Sequence, residues 1–362
     1  SNEFTPVFHN MKFDFKMIKY HLNIDFPRDK VHDTMLLHYV LDENDSHSLK
    51  HLALKYTDYG DYDSPLEEFK KEYCAKYGVL QDDFTYDLIP FDIISEYASI
   101  DTAVTYALFQ KFWPLVRDNL KFNKVYRDLL IRGTLFLMDM EEVGIPISVE
   151  RLAASSLYLE DEITAAKEYL YTFKEVHDFE AAEGKIFNPN STLQLRKLLF
   201  DYIGLKPTGK KTATGAISTD AEVLKELSEE HPLPKALLTI RQLEKIRSTY
   251  ISKILPQVDR DGRIRTNFNM IFTTSGRLSS SGKFNAQQIP RDDPIIKGGI
   301  VAPPGYKIVS QDLTTAEVYY AAVLSGDKNL QAVFKTGGDL HSTIAKMVFN
   351  LPCSVEEVKT LY

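Results

Sequence analysis

Residues 273–290, TTSGRLSSSGKFNAQQIP, set Arg277 among glycine, serine and threonine and follow it with Asn285, Gln287 and Gln288. One guanidinium fork beside several short neutral donors and acceptors suits sugar, phosphate and the minor-groove edges of bases, where the acceptor pattern is nearly sequence-independent. The same composition also describes a polar surface loop. About twenty residues later the apolar run Tyr306–Val309 reads as a central strand. It leaves Asp312 at the strand end, facing a cleft, and Glu317 starts a helix five residues on. A strand-end aspartate suits Mg2+, which takes one or two carboxylates together with substrate phosphates. An aspartate that merely caps a helix has the same signature. Near the N-terminus, HNMKFDF (9–15) carries Asn10 and Asp14, and YASIDTAVTY (97–106) carries Tyr97 and Asp101 four apart on one helix face. The first of these also fits a short buried strand with a solvent-facing aspartate.

The elements that must position these residues are mostly helical. SHSLKHLALKY (46–56) has a helical apolar spacing with Ser46 or Ser48 as its cap, and the acidic, Asp/Tyr-rich stretch 59–92 reads as a helix with irregular flanks. Residues 93–113 form an amphipathic helix stopped by Pro114, and a second helix runs over about 116–142 to Val143–Gly144. Residues 149–180 read as one long helix. NPNST (188–192) caps another that stops at Gly204, and residues 206–218 (KPTGKKTATGAIS) read as a mobile loop. Helices return at about 219–230 and 233–255. β-Prone alternation follows from Gln257, and 315–362 is helical again. The pattern is an α/β unit over about 1–115, a helical unit over about 150–255 and an α/β unit from about 257.

The formal net charge of −8 argues, taken alone, against a nucleic-acid partner. Its distribution reverses that. Residues 1–101 hold 10 Lys/Arg against 20 Asp/Glu, whereas residues 235–307 hold 13 against 5. Such a basic tract marks either a polyanion track, where neutralised phosphates release counterions, or a solvated helix face. Cys74 and Cys353 are far apart without a zinc pattern and read as free thiols in a reducing, cytoplasmic compartment. No apolar run is long enough for a membrane span, and SNEFTPVFHN lacks the regions of a signal peptide.

The order TSGRLSS, NAQQIP, a strand-end Asp with Glu five later, then SGD and DLH resembles the family A DNA polymerases, whose usual pattern is TGRLSS, NLQNIP, DYSQIELR and HLSGD. FNPNSTLQLRKLLF, PLPKALLTIRQLEKIRSTY and MEEVGIPIS resemble that family's thumb and palm entry, and HNMKFDF with YASIDTAVTY resembles two motifs of its proofreading exonuclease. The resemblance covers nearly the whole chain. It implies a multidomain α/β and α protein: a partial RNase H-like 3′-5′ exonuclease domain (1–115), a connecting helix and palm entry (116–150), a helical thumb (151–256) and the N-terminal part of a right-hand palm (257–362).

By the same resemblance, Asp312 and the Leu313 carbonyl hold metal in the polymerase site, Glu317 crowds the sugar 2′ position, and Thr315 lies in the nucleotide pocket. Arg277, Asn285, Gln287 and Gln288 touch the primer–template minor groove. Lys245, Arg247, Ser248 and Thr249 line the thumb's phosphate track, with Lys210 and Lys211 at its tip. In the exonuclease, Asp14 and Asp101 bind metal, Tyr97 orients the attacking water and Asn10 contacts the DNA end. The implied cofactors are two Mg2+ per site, with Mn2+ as a substitute, and the partners are primer–template DNA and dNTPs, with no membrane. Leu313-Thr314-Thr315-Ala316 in place of Tyr-Ser-Gln-Ile, and Val318-Tyr319 in place of Leu-Arg, point to a divergent, phage-like branch. The exonuclease's Asp-x-Glu is expected ahead of residue 1. The fingers helix and the His-Asp-Glu hairpin are expected after Tyr362, in a C-terminal polymerase half. The expectation is therefore that this chain alone is inactive. The alternative is a non-catalytic, primer–template-binding half of a split or degenerate polymerase.

Overall fold

A computed structural model describes residues 4–361 apart from residues 213, 274, 283, 291, 292 and 314. The chain divides into two units, one ending at Val301 and one beginning at Ala302.

The first unit opens with a parallel strand pair, β1 (Val7–Phe8) and β2 (His32–Asp33), in which Phe8 lies opposite Asp33. Between them runs α1 (Met11–Leu22), entered at Asn10 with φ 65 and left at Asn23 with φ 53. Asparagine is one of the few side chains that tolerate this left-handed backbone. HNMKFDF is thus a bend at His9 and Asn10 followed by a helix, and not the short buried strand that its apolar residues also fit. α2 (Thr34–Leu41) is capped by Asp33 and α3 (Leu49–Tyr56) by Ser48, one of its two expected caps. α4 (Ser64–Tyr77) leads to α5 (Phe91–Arg117); α1, α2, α3 and α5 enclose a core of Met11, Leu37, Leu52, Leu108, Phe112 and Tyr126, while α4 packs through Leu66 and Cys74 on Phe84 and Ile89.

Pro114 does not stop α5; it lies inside it. A proline forfeits a single helical hydrogen bond near a C-terminus, and α5 ends three residues later. Asn119 then caps α6 (Leu120–Lys124), a wider π-type turn spans Val125–Ile131, and α7 (Arg132–Val143) ends at Gly144 as expected. Gly144 has φ 68, and a Cβ there would approach the Ile264 carbonyl to 3.0 Å. Glycine is therefore required twice over, by backbone conformation and by space.

β3 (Ile145–Pro146) pairs antiparallel with β4 (Arg263–Ile264), and β5 (Asn267–Asn269) pairs antiparallel with β6 (Ser279–Ser281). The helices between them differ from expectation in two ways. The long helix expected over 149–180 is two, α8 (Val149–Leu170) and α9 (Lys174–Glu183). The Thr172 hydroxyl donates to the Tyr169 carbonyl at 2.7 Å and ends α8, as a short polar side chain does when it competes for backbone. The bend brings Leu170, Val176 and Phe179 into one core with Leu198, Leu224 and Leu237. Within the segment expected as a mobile loop over 206–218, Lys211 bridges to Ile217 and the Ser218 N–H donates to the Lys210 carbonyl at 2.9 Å. α10 (Thr192–Arg196) is capped by Ser191, α11 (Ala221–Leu227) by Asp220 and α12 (Pro232–Lys245) by His231. A π-type turn (Ile246–Ile251) and α13 (Ser252–Ile254) follow, and α14 (Pro294–Gly298) packs on α8 through Ile296 and Leu152.

The second unit is helical: α15 (Ala316–Ser325), α16 (Lys328–Lys335), α17 (Leu340–Val348) and α18 (Val355–Leu361). The expected central strand over Tyr306–Val309 is not among the described strands. Tyr306 is 75% and Val309 79% exposed. A strand needs a neighbour to take its backbone hydrogen bonds, and no described strand lies in this unit.

One buried acid ties the first unit together. Glu141 of α7 is 3% exposed. It accepts Lys12 Nζ and Lys16 Nζ of α1 at 2.5 Å each and the Phe268 N–H of β5 at 2.7 Å. Lys12 Nζ also donates to the Phe268 carbonyl at 2.5 Å. Glu141→Ala leaves the ammonium of Lys12 without its charged partner. It is expected to destabilise the unit by about 3 kcal/mol, read as a lowered urea midpoint.

His38 Nδ1 lies 2.8 Å from His47 Nδ1, so only one of the two atoms can carry a proton. Burial lowers His38 to about 4 and His9 to about 4, from an ordinary value of 6.5. The native state then holds fewer protons than the unfolded chain between pH 4 and 6.5. The stability these groups contribute is complete above 6.5 and lost as pH falls through that window. The urea midpoint is expected to drop from pH 7 to pH 5, and His38→Gln to flatten the slope.

Candidate functional site

Asp14 and Asp101, brought from α1 and α5, line one cleft of about 530 Å³ with His9, Thr105 and Tyr106. α1 is held at its start by Asp33. The Oδ2 of Asp33 accepts the Met11 N–H at 2.7 Å and its Oδ1 accepts the Asn10 N–H at 3.2 Å. Asp14 follows one turn later. Its carboxyl is pushed up to about 6, first by burial and then by the negative charges of Asp33 and Asp101. The cleft thus concentrates negative charge where solvent is scarce, and this is the arrangement that a cation relieves.

Asp101 Oδ1 accepts the hydroxyl of Tyr62 at 2.5 Å, and the Tyr62 ring stacks on Tyr97 at 5.9 Å. Burial raises both phenols, and the nearby Asp101 charge raises them further, so each keeps its proton as a donor. Tyr97 and Asp101 share a face of α5, as their spacing predicts. Tyr62 was not picked out from sequence; its only signal was membership of the tyrosine-rich acidic tract. Asp33 was missed too. Asp-Thr before an apolar run advertises a cap for α2, but nothing local shows that the same carboxylate reaches α1.

Arg277 is exposed in the segment between β5 and β6, and its carbonyl accepts the Thr273 hydroxyl at 2.5 Å. Asn285 acts as a strut. Its Oδ1 accepts the Ser280 hydroxyl and the Gln287 N–H, and its Nδ2 donates to the Ser280 carbonyl at 2.8 Å. Gln287 Nε2 donates to the Leu278 carbonyl at 3.1 Å, while Gln288 is exposed. Lys245, Ser248 and Thr249 are exposed at spacings of three and four along the end of α12 and the turn after it. Arg247 is half-buried and donates to Glu160 at 2.8 Å. Lys210 pairs at the surface with Asp220 and Glu222, and the adjacent Lys211 is also exposed.

In the second unit, Asp312 and Leu313 are exposed, and the chain enters α15 through Thr315 at φ 52. A β-branched residue in this region is strained by roughly 1–3 kcal/mol. Glu317 lies in the first turn of α15, as expected. Thr314 lies outside the described residues. Among the described residues no three His, Cys, Asp or Glu side chains converge as a metal cage, and no helix is long and apolar enough to cross a membrane.

These contacts separate structural from surface roles around Arg277. Asn285→Ala should cost about 1–2 kcal/mol of stability through its lost bonds, whereas Gln288→Ala should leave the unfolding midpoint unmoved.

Residues 158–360 match the model of DNA polymerase family A, and residues 1–117 that of a 3′-5′ exonuclease. The chain is 53% identical to the DNA polymerase of Escherichia phage T5, over 100% of this chain and 44% of that protein. It is 36% identical to the thermostable DNA polymerase I of Thermus aquaticus, over 71% of this chain and 30% of that one. It is 32% identical to the DNA polymerase I of Pseudomonas aeruginosa, over 90% and 34%. A solved structure, the POL domain of Pol1 from M. smegmatis in complex with DNA primer-template and dNTP, superposes with a TM-score of 0.70 at 26% identity, over 99% of this chain and 57% of that one. The chain spans less than half the length of the three relatives it matches. With both segments matched in sequence and the fold shared, the chain belongs to DNA polymerase family A and carries a 3′-5′ exonuclease segment ahead of its polymerase segment.

Proposed function

We propose that the protein carrying this chain extends a DNA primer on a template from dNTPs, releasing pyrophosphate, and removes mispaired 3′ nucleotides by hydrolysis. The observation that carries the hydrolytic half is the cleft shared by Asp14 and Asp101, in which burial and then the neighbouring acids push the Asp14 carboxyl up. Both carboxylates would hold Mg2+, with Mn2+ as a substitute, and the ion would supply positive charge against the scissile phosphate and acidify the attacking water. Tyr97 orients that water through its retained phenolic proton. Asn10, at the mouth of α1, meets the DNA 3′ end.

For synthesis, Asp312 and the Leu313 carbonyl are the metal-binding groups, Glu317 excludes a 2′-hydroxyl and Thr315 borders the nucleotide. Arg277 and Gln288 reach the minor groove, with Asn285 and Gln287 shaping the turn that presents them. The exposed face of Lys245, Ser248 and Thr249 tracks phosphates, joined by Lys211; Arg247 and Lys210 neutralise acids and act at one remove. The domains follow in the order exonuclease (1–115), connection (116–150), thumb (151–256) and palm (257–362).

The test uses two variants of the intact protein. Asp14→Ala is expected to lower 3′-end hydrolysis by at least about a hundredfold and leave extension intact; Asp312→Ala is expected to do the reverse. Retention of the targeted reaction in either variant would overturn that residue's role. Neither site gathers three metal-binding side chains among this chain's described residues. The 362-residue chain by itself is therefore expected to incorporate no dNTP while still binding primer–template through its basic 235–307 tract. The binding should weaken steeply with salt. That outcome, with no activity in any longer form, would favour the second reading, a DNA-binding half without chemistry.

A further inference from the structure

We infer that Asp33 is a positioning residue for the 3′-end hydrolysis proposed above, setting where Asn10 and Asp14 stand by holding the start of α1; the inference rests on that reading. An N-cap aspartate ordinarily serves one helix. Asp33 serves two. Its Oδ1 accepts the N–H groups of Met35 at 2.9 Å and Leu36 at 3.3 Å, which cap α2, and that of Asn10 at 3.2 Å. Its Oδ2 is committed to the Met11 N–H at 2.7 Å, the first residue of α1. The left-handed backbone of Asn10 turns two successive N–H groups toward one carboxylate, a small anion nest. Asp33 is 1% exposed, so the charge is worth its burial only through these donors.

The carboxylate is itself fixed from behind. The Asp33 N–H donates to the Tyr126 hydroxyl oxygen at 3.0 Å, and His32 Nδ1 lies 3.2 Å from the same atom. Arg127 donates to the Val31 carbonyl at 2.9 Å and lies 2.7 Å from His32 Nε2 through its other terminal nitrogen. Its guanidinium also covers the Trp113 ring at 5.1 Å. β2 is therefore a rigid mount. α1 is pinned to it at its first residue and to Glu141 through Lys12 and Lys16, which flank Asp14. Loss of the first pin leaves the start of α1 held only by two long lysine side chains, so Asn10 shifts first and Asp14, one turn behind it, follows.

Asp33→Asn isolates the effect. Its remaining carbonyl oxygen keeps the α2 cap, while its amide sets a donor against the Met11 N–H. Asp33→Ser, which caps α2 with a single oxygen, is the second variant. In the full-length protein each is expected to lower kcat for 3′-end hydrolysis by roughly 10–100-fold and raise the Mg2+ concentration for half-maximal rate. Each is also expected to weaken binding of a short fluorescein-labelled oligothymidylate, read by anisotropy in EDTA, by about fivefold or more. Primer extension should keep its rate. Wild-type hydrolysis and oligonucleotide affinity in both variants would overturn the inference, and so would equal loss of extension and hydrolysis, which marks a purely structural role. Asp14→Ala run alongside separates the two claims: if it retains hydrolysis the site reading itself fails, whereas if it loses hydrolysis and Asp33→Asn does not, only the latch fails.

Discussion

The first unit turns on a single buried carboxylate. Glu141 accepts two ammonium groups from α1 and one backbone N–H from β5, while Lys12 closes the ring on the Phe268 carbonyl. α1 lies in the segment that matches the exonuclease model and β5 in the segment that matches the polymerase model. A charge in such a place is tolerated only when its partners are complete. Burial lowers the Lys12 ammonium while Glu141 opposes the fall, so the pair survives because each partner is spoken for. The orientation of α1, and with it Asp14, is set as much by the polymerase-segment hairpin as by its own neighbourhood.

The cleft shows the opposite balance. Burial pushes the Asp14 carboxyl up, and the charges of Asp33 and Asp101 add to the push. Tyr62 gives one hydrogen bond to Asp101 and stacks on Tyr97, which leaves acceptor capacity on Asp101 and keeps both rings in register. The repulsion here is offset on the same two turns of α1, where Lys12 and Lys16, on either side of Asp14, are matched to Glu141. Perturbed acids of this kind collect at functional sites.

Local signals were legible in the sequence and long-range ones were not. The caps Ser48 and Ser191, the stop at Gly144, the helical start at Glu317 and the shared face of Tyr97 and Asp101 follow from residue types and short spacings. So does the family, because its motifs are short and ordered. Pro114 misled because its cost depends on how much helix remains after it. The helix expected over 149–180 broke at Thr172 because the gain came from a core assembled with residues up to Leu237. Tyr306–Val309 looked like a strand because four residues of that pattern carry no information about whether a neighbour exists. Asp33, Tyr62 and Glu141 act across distances in sequence that no periodicity reports, and Lys210, read as a phosphate contact, faces two acids supplied by the turn that follows it.

The ring around Glu141 also has a consequence for the order in which the protein is made. Lys12 and Phe268 lie 256 positions apart, and Lys12 and Glu141 lie 129 apart. In equilibrium terms this separation is cheap, since each doubling of a closed loop adds only about 0.6 kcal/mol. In time it is not. On the ribosome α1 emerges ahead of its counter-charge and waits until α7 is out, then waits again for β5. The segment that holds α1 therefore emerges with Lys12 and Lys16 still awaiting Glu141, and reaches its final geometry only after the strands of the later segment have been synthesised.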